Sequence, residues 1–217
     1  MESAVFDLPA DVHTHRIGNA DAIYNAPTAE ALRLCALRGN RQPYSLSLHP
    51  WDLRQDAAER VEGLQEFLDA VPVCTRDPLM TAFGECGLDP RCPLPIGTQQ
   101  AVFETVLDAA RHYNRPVIVH CVRLWDAMMQ SVTRVWGSRQ ATEARENGCP
   151  ILIHGFRKGP QLARQLVARG YWISFGERFR PETLNAVPAA VRFVETDESS
   201  LSIEDIKALQ DKCISPT

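Results

Sequence analysis

His13-Thr14-His15 places two imidazoles two residues apart in a run of strand type, where alternate side chains share a face. Two imidazoles so placed can reach one cation. Alone, such a pair is a weak signal. It gains weight because five further strand-type runs also end in a metal-capable residue: 44–49 in His49, 79–85 in Glu85, 116–120 in His120, 150–154 in His154 and 191–197 in Asp197. A single strand-end histidine is most often a satisfied core or surface residue. Here the chain has six histidines, and all but His112 belong to this set.

Carboxylates that converge in a partly dry pocket repel each other, and burying them unpaired costs several kcal/mol each. Divalent cations resolve the conflict, and imidazole with carboxylate suits zinc, manganese or magnesium. The expectation is a site for two such ions about 3.5–4 Å apart. His13 and His15 with Asp197 are assigned to one ion and His120 with His154 to the other. Glu85, central in strand order, is the expected bridge. Asp197 comes from the last strand and is also expected to act as general base on an attacking water.

These residues need a scaffold that brings strand ends together. Helical periodicity appears over 55–70, where Val61, Leu64, Leu68 and Val71 share a face and Asp56 with Glu59 can cap the start. It recurs over 98–113, stopping at Asn114 before Pro116, and over 125–136, 159–169 and 202–212. Gly39, Gly148 and Gly170 stand where helices should end. Between the helices lie short apolar runs at 10–13, 44–49, 79–85, 116–120, 150–154, 171–176 and 191–197. Runs such as VIVH and ILIH suit parallel strands covered on both faces. Strand and helix alternate over one domain length, so the fold predicted is α/β, a TIM-type (β/α)8 barrel. The C-terminal strand ends of such a barrel open onto one face, where its active sites sit. Residues 16–43 are weakly patterned, with a strand candidate only at 22–25, so one barrel strand near the N-terminus is expected to be short or missing.

The 217 residues are read as one domain, 1–217. A composition 45% hydrophobic and 23% charged excludes disordered and fibrous classes. No apolar run approaches the roughly 20 residues needed to span a bilayer, and the N-terminus has no signal-type segment. A cytoplasmic location without membrane association is expected. Seven cysteines, odd in number and without a CxxC pair, read as reduced thiols. The net charge of −4 is uneven: residues 111–180 carry 12 lysines and arginines against four acids. That leaves room for an anion-binding face on an acidic protein.

HTH near the start, LHPW at 48–51, FGECGLD at 83–89, VIVH at 117–120, ILIHGF at 151–156, WISFG at 172–176 and FVETDES at 193–199 together resemble the TatD-related deoxyribonuclease family. The set runs in order over almost the whole chain. The resemblance implies a TIM-type barrel, divalent metals and hydrolysis of DNA phosphodiesters. It carries the metal-ligand roles onto His13, His15, Glu85, His120, His154 and Asp197, and a substrate-side role onto His49. The chain departs from the family in loops. It is shorter between His15 and Leu46 and after Asp197, and the usual HCFSG-like segment reads His154-Gly155-Phe156-Arg157-Lys158. Glu198-Ser199 follows ETD where a small residue and proline are usual, and Pro90 follows Asp89 where an aromatic is usual.

Arg123 and Arg157, with Lys158, Arg178 and Arg180, follow strand ends and could ring the pocket mouth, where arginine binds phosphate in bidentate fashion. Trp51 could stack on a base or simply pack. Asp89 and Glu198 read as supports of the ligands rather than ligands. The leading functional expectation is a phosphodiesterase or DNase acting on single-stranded DNA or on ends, with no obligate protein partner. The alternative is a two-metal amidohydrolase-like enzyme acting on a small amide or ester. The lysines 158, 207 and 212 lie outside the ligand set, which counts against a modified-lysine bridge. A metal-binding protein without catalysis is the third class, opposed by the intact ligand set.

Overall fold

The computed structural model describes residues 8–137 and 149–214. Gly148, Arg139, Arg145, Glu143 and Glu146, used above in the capping and charge arguments, lie outside the described residues, as do residues 1–7.

Eight strands form one sheet in sequence order, and every neighbouring pair is parallel. They are β1 (Asp11–Thr14), β2 (Ala22–Pro27), β3 (Tyr44–Ser47), β4 (Met80–Leu88), β5 (Val117–Cys121), β6 (Ile151–Ile153), β7 (Trp172–Phe175) and β8 (Arg192–Val194). The helices between them are α1 (Thr28–Ala36), α2 (Ala57–Cys74), α3 (Ile96–Tyr113), α4 (Trp125–Trp136), α5 (Pro160–Ala168) and the short α6 (Pro181–Leu184). α7 (Ile203–Asp211) follows β8. The segment after β8 meets β1: Asp197 N–H donates to the His13 carbonyl at 2.9 Å, and His15 N–H donates to the Asp197 carbonyl at 3.2 Å. The result is a TIM-type (β/α)8 barrel.

The expectation of a short or missing strand near the N-terminus is overturned. β2 has six residues and pairs on both sides, with β1 and β3. Its run Ala-Ile-Tyr-Asn-Ala-Pro reads weakly because two alanines and a buried asparagine interrupt the apolar pattern. The two neighbouring ladders supply what local propensity lacks. α1 follows directly, burying Ala31 and Leu34.

α2 also differs from the expected face. It buries Phe67, Ala70, Val71 and Cys74, whereas Val61 and Leu68 are exposed. The stripe at spacing three and four that contains Phe67 wins because Phe67 packs against Phe83 of β4, ring centroids 6.3 Å apart. Asp56 caps this helix by accepting from the N–H groups of Ala58 and Glu59. Asn114 ends α3 in the left-handed region, and Ser202 with Asp205 forms a reciprocal cap on α7.

Two packed layers follow from strand alternation. Val12, Ile23, Ala82, Ile118 and Leu152 fill the barrel interior, with Trp172 and Phe193 against them. Residues such as Phe83, Val117, Val119, Ile151, Ile153, Ile173 and Phe175 pack outward with the helices.

Candidate metal centre

In β5, Val117 and Val119 face the helices and Ile118 faces the interior, so alternation turns His120 inward. In β6, Ile151 and Ile153 face out and Leu152 in, which does the same for His154. Both imidazoles therefore emerge at the carboxyl end of the barrel.

Glu85 cannot be placed that way. Ala82 lies in the interior cluster, so strict alternation would send Glu85 toward the helices. Between Phe83 and Cys86 the pairing with β5 shifts: Phe83 pairs with Val117 and Cys86 with Val119. β4 thus carries one extra residue, a bulge. Gly84 sits in it at φ 113°, and a Cβ there would meet the Ile118 carbonyl oxygen at 2.2 Å. Two polar contacts hold the residue. The Glu85 N–H donates to Asn25 Oδ1 at 2.8 Å, and its carbonyl accepts from Ser47 Oγ at 2.9 Å.

The Glu85 carboxylate, almost fully buried, stands between two groups of imidazoles. Its Oε2 faces His13 Nε2 at 3.4 Å and His15 Nε2 at 3.7 Å. Asp197 Oδ1 completes that side, 3.9 Å from His13 Nε2 and 3.6 Å from His15 Nε2. Its Oε1 faces His154 Nε2 at 2.6 Å, His120 Nδ1 at 2.8 Å and His49 Nε2 at 3.4 Å. The structure thus brings together His13, His15, His49, Glu85, His120, His154 and Asp197, and all of them but His13 line a cavity of about 460 Å³.

The charges follow this geometry. Burial alone would raise the Glu85 carboxyl, but the charge of His154 and the close approach of the His120, His13 and His15 rings hold it well below the usual carboxylate range. Burial opposes the charging of His154, yet Glu85 and Glu195 push its pKa well above that of a free imidazole. His15 is raised as well, chiefly by the Glu85 carboxylate beside it. Among the described residues, His13 Nδ1 and Nε2, His49 Nε2 and His154 Nδ1 are buried without a hydrogen bond of good geometry, although carboxylate oxygens lie 3.4–3.6 Å from the last three. Unpaired imidazole nitrogens around a buried carboxylate form a donor set that fits divalent cations, which take the lone pairs that protons otherwise hold. Ligand atoms of His13, His15 and Asp197 lie within 4.8 Å of one another, as do those of His49, Glu85 and His120, and those of His13, Glu85 and His154.

Buried carboxylates brace the rings. Glu195, fully buried, accepts from Ser174 Oγ at 2.5 Å and from Gly155 N–H at 2.6 Å, and its Oε1 lies 3.6 Å from His154 Nδ1. Burial would raise its pKa, but the nearby charge of His154 lowers it. Asp89, also buried, accepts from Trp51 Nε1 at 3.0 Å and Arg91 Nη2 at 2.7 Å, and lies 3.4 Å from His120 Nε2. Asp11 accepts from Thr196 N–H and Oγ1 at 3.0 and 2.6 Å, joining β1 to the segment after β8. Burial raises its pKa against those hydrogen bonds.

The rim residues are divided. Arg157 is half-exposed, with Nη2 3.9 Å from Asp197 Oδ2, and lines two side cavities of about 220 and 280 Å³. Lys158 lines the larger of them and Arg178 the smaller. Arg123 is exposed and, like Arg180, lies outside the walls of all three cavities. Trp51 is half-exposed and engaged to Asp89 rather than packed in the core.

Asn25, Arg91, Glu195 and Asp11 were missed by the sequence reading. Glu195 and Asp11 carry a detectable signal, since each lies two residues before a ligand candidate within the same strand-type run of the sequence. Asn25 and Arg91 carry none, because their partners are distant in sequence or in a loop.

The chain matches the family model described as TatD related DNase over residues 13–210. It is 28% identical over 190 residues to the uncharacterized metal-dependent hydrolase YjjV of Escherichia coli K12, covering 82% of this chain and 68% of that protein. An uncharacterized metal-dependent hydrolase of Haemophilus influenzae is 25% identical over 181 residues, covering 81% of this chain and 63% of its own length. Among solved structures, the E. coli YjjV crystal structure, a TatD homolog, superposes with a TM-score of 0.68 at 24% identity, covering 91% and 81% of the two chains. A TatD-family hydrolase of Entamoeba histolytica gives 0.62 at 19% identity, covering 86% and 72%. Both share the fold. The chain belongs to the TatD related DNase family.

Proposed function

We propose that this chain, a metal-dependent hydrolase of the TatD family, cleaves phosphodiester bonds of DNA with two divalent ions at the mouth of the barrel. One observation carries the two-ion reading: the two oxygens of Glu85 face separate imidazole groups. His13, His15 and Asp197 would hold one ion, His120 and His154 the other, and Glu85 would bridge them. Bound zinc, manganese or magnesium would supply Lewis acidity at a phosphoryl oxygen and lower the pKa of a water.

The residues themselves divide the remaining work. Asp197 presents Oδ1 to His13 and His15, while Oδ2 is turned toward Arg157 and the side chain is 23% exposed. A partly exposed carboxylate with one oxygen turned away from the imidazoles suits a general base. It would take the proton of the attacking water as the water oxygen bonds to phosphorus and the ester P–O bond to the leaving sugar oxygen breaks. His49 points into the same cavity and would donate to a substrate oxygen. Arg157 would hold phosphate at the rim, and Arg123 would contact only the parts of a substrate that extend beyond the cavities. Single-stranded DNA or strand ends are the favoured substrates, since a pocket of this size admits a strand rather than a duplex. Among the described residues no helix is long and apolar enough to cross a membrane.

The test is nuclease activity of metal-stripped protein on end-labelled single-stranded DNA, reconstituted separately with magnesium, manganese and zinc. Metal-dependent shortening that disappears in Glu85→Ala is the expected result. Stoichiometric metal binding without cleavage under any of the three would overturn the DNase reading.

A further inference from the structure

Two side cavities flank the metal centre, and their charges differ. The smaller lies beside Asp197 and is walled by Arg157 and Arg178 against Glu177, Glu195, Asp197 and Glu198. Arg178 is already paired there, its Nε 3.2 Å from Glu177 Oε1. A phosphate entering it would meet more carboxylates than cations.

The larger cavity, about 280 Å³, shares Arg91, His120, His154 and Asp197 with the main pocket. Three cations wall it, Arg91, Arg157 and Lys158, and Asp197 is the one carboxylate among its lining residues. Arg91 is committed to Asp89. Lys158 forms no ion pair among the described residues, and Arg157 reaches Asp197 only at 3.9 Å. Aromatic rings line it as well: Trp125 packs against buried Phe156 at 5.8 Å between ring centroids and keeps part of its surface open. An uncommitted ammonium and a loosely held guanidinium beside an aromatic wall, joined to a metal centre, match a nucleotide phosphate and its attached sugar and base.

We propose that this cavity is a subsite for a second phosphate of the substrate, next to the one cleaved, held by Lys158 and Arg157 with the adjoining nucleoside against Trp125. The inference rests on the phosphodiesterase reading above and narrows it. The preferred substrates are diesters with a phosphate one nucleotide from the scissile bond, such as oligonucleotides and end-phosphorylated dinucleotides. Isolated diesters leave the two cations unused.

Binding tests this apart from catalysis. Chelator-treated protein is titrated calorimetrically with thymidine 3′,5′-bisphosphate and with thymidine, so that no metal can hold the phosphate. The bisphosphate should bind at least about tenfold more tightly than thymidine, the gain of one charge-assisted contact. Lys158→Ala should remove most of that gain, Lys158→Arg should keep it within about threefold, and Arg178→Ala should leave it in place. Equal binding of the two ligands by the wild type, or wild-type affinity in Lys158→Ala, would overturn the subsite. In the metal-loaded enzyme, a terminal phosphate on a thymidine dinucleotide should raise kcat/KM about tenfold through KM, and Lys158→Ala should abolish that ratio. Loss of turnover on every dinucleotide with bisphosphate binding intact would sink the nuclease reading and leave the subsite standing.

Discussion

The two sides of Glu85 are built differently. On the Oε1 side, His49, His120 and His154 are mostly enclosed, and buried carboxylates back two of the rings: Glu195 behind His154 and Asp89 behind His120. On the Oε2 side, His13 is buried but the His15 side chain is 37% exposed and that of Asp197 is 23% exposed. Buried Asp11 ties β1 to the segment after β8 there, and a second tie lies near the surface. Arg16, between the His15 strand end and solvent, donates through Nη2 to the carbonyls of Ser199 and Leu201, the latter at 2.6 Å. The contrast shows how one barrel mouth can combine a pre-organised half with an accessible one. Fixed rings lower the ordering cost of binding a cation. An open carboxylate beside them can exchange protons with incoming water.

The largest effect should come from the residue both halves share. Glu85→Ala should lower turnover at least about 100-fold and remove both ions. Metal analysis after dialysis checks it, and retention of one tightly held ion would break the picture of a common bridge. Next comes the enclosed side. Glu195→Gln keeps the shape but removes the charge near His154, so affinity for the ion on that side should fall about 10–100-fold, the usual cost of losing such a support. Competition with a chelator of known affinity measures it, and an unchanged constant would mean that packing alone orients His154. The open side should respond less. Arg16→Ala removes exposed contacts, so metal affinity should change by less than about threefold, while turnover falls modestly as the loop carrying Asp197 loosens. A loss equal to that of Glu195→Gln would erase the difference between the halves. The smallest effect is expected far from both. Asp56→Ala removes the cap of α2 and should cost about 1 kcal/mol of stability with metal affinity unchanged, read from denaturant unfolding and the same chelator competition.

Much of this arrangement is legible in the chain. VIVH and ILIH announce parallel strands whose last inward position is a histidine, and the structure puts His120 and His154 there because period-two alternation continues unbroken through β5 and β6. Helix ends are legible for the same local reason: Asp56, Asn114 and Ser202 act through their own backbone neighbours. The buried face of α2 is not legible in the sequence, because a periodic set of aliphatics is ambiguous until a partner is known, and the partner is Phe83, in the next strand. β2 was underrated because its stability comes from ladders on both sides rather than from its own side chains.

The sequence by itself determined which imidazoles and carboxylates are candidate ligands, their places near strand ends and the alternating strand–helix order, since all of these depend on local periodicity and residue chemistry. Tertiary structure alone decided the point on which the site turns. Counting from Ala82, local alternation sends Glu85 away from the histidines. Only the extra residue in β4, accommodated by Gly84 against the β5 backbone and held by Asn25 and Ser47, turns its carboxylate between the two imidazole groups. A bulge is a property of paired strands, and pairing exists only after the barrel has formed.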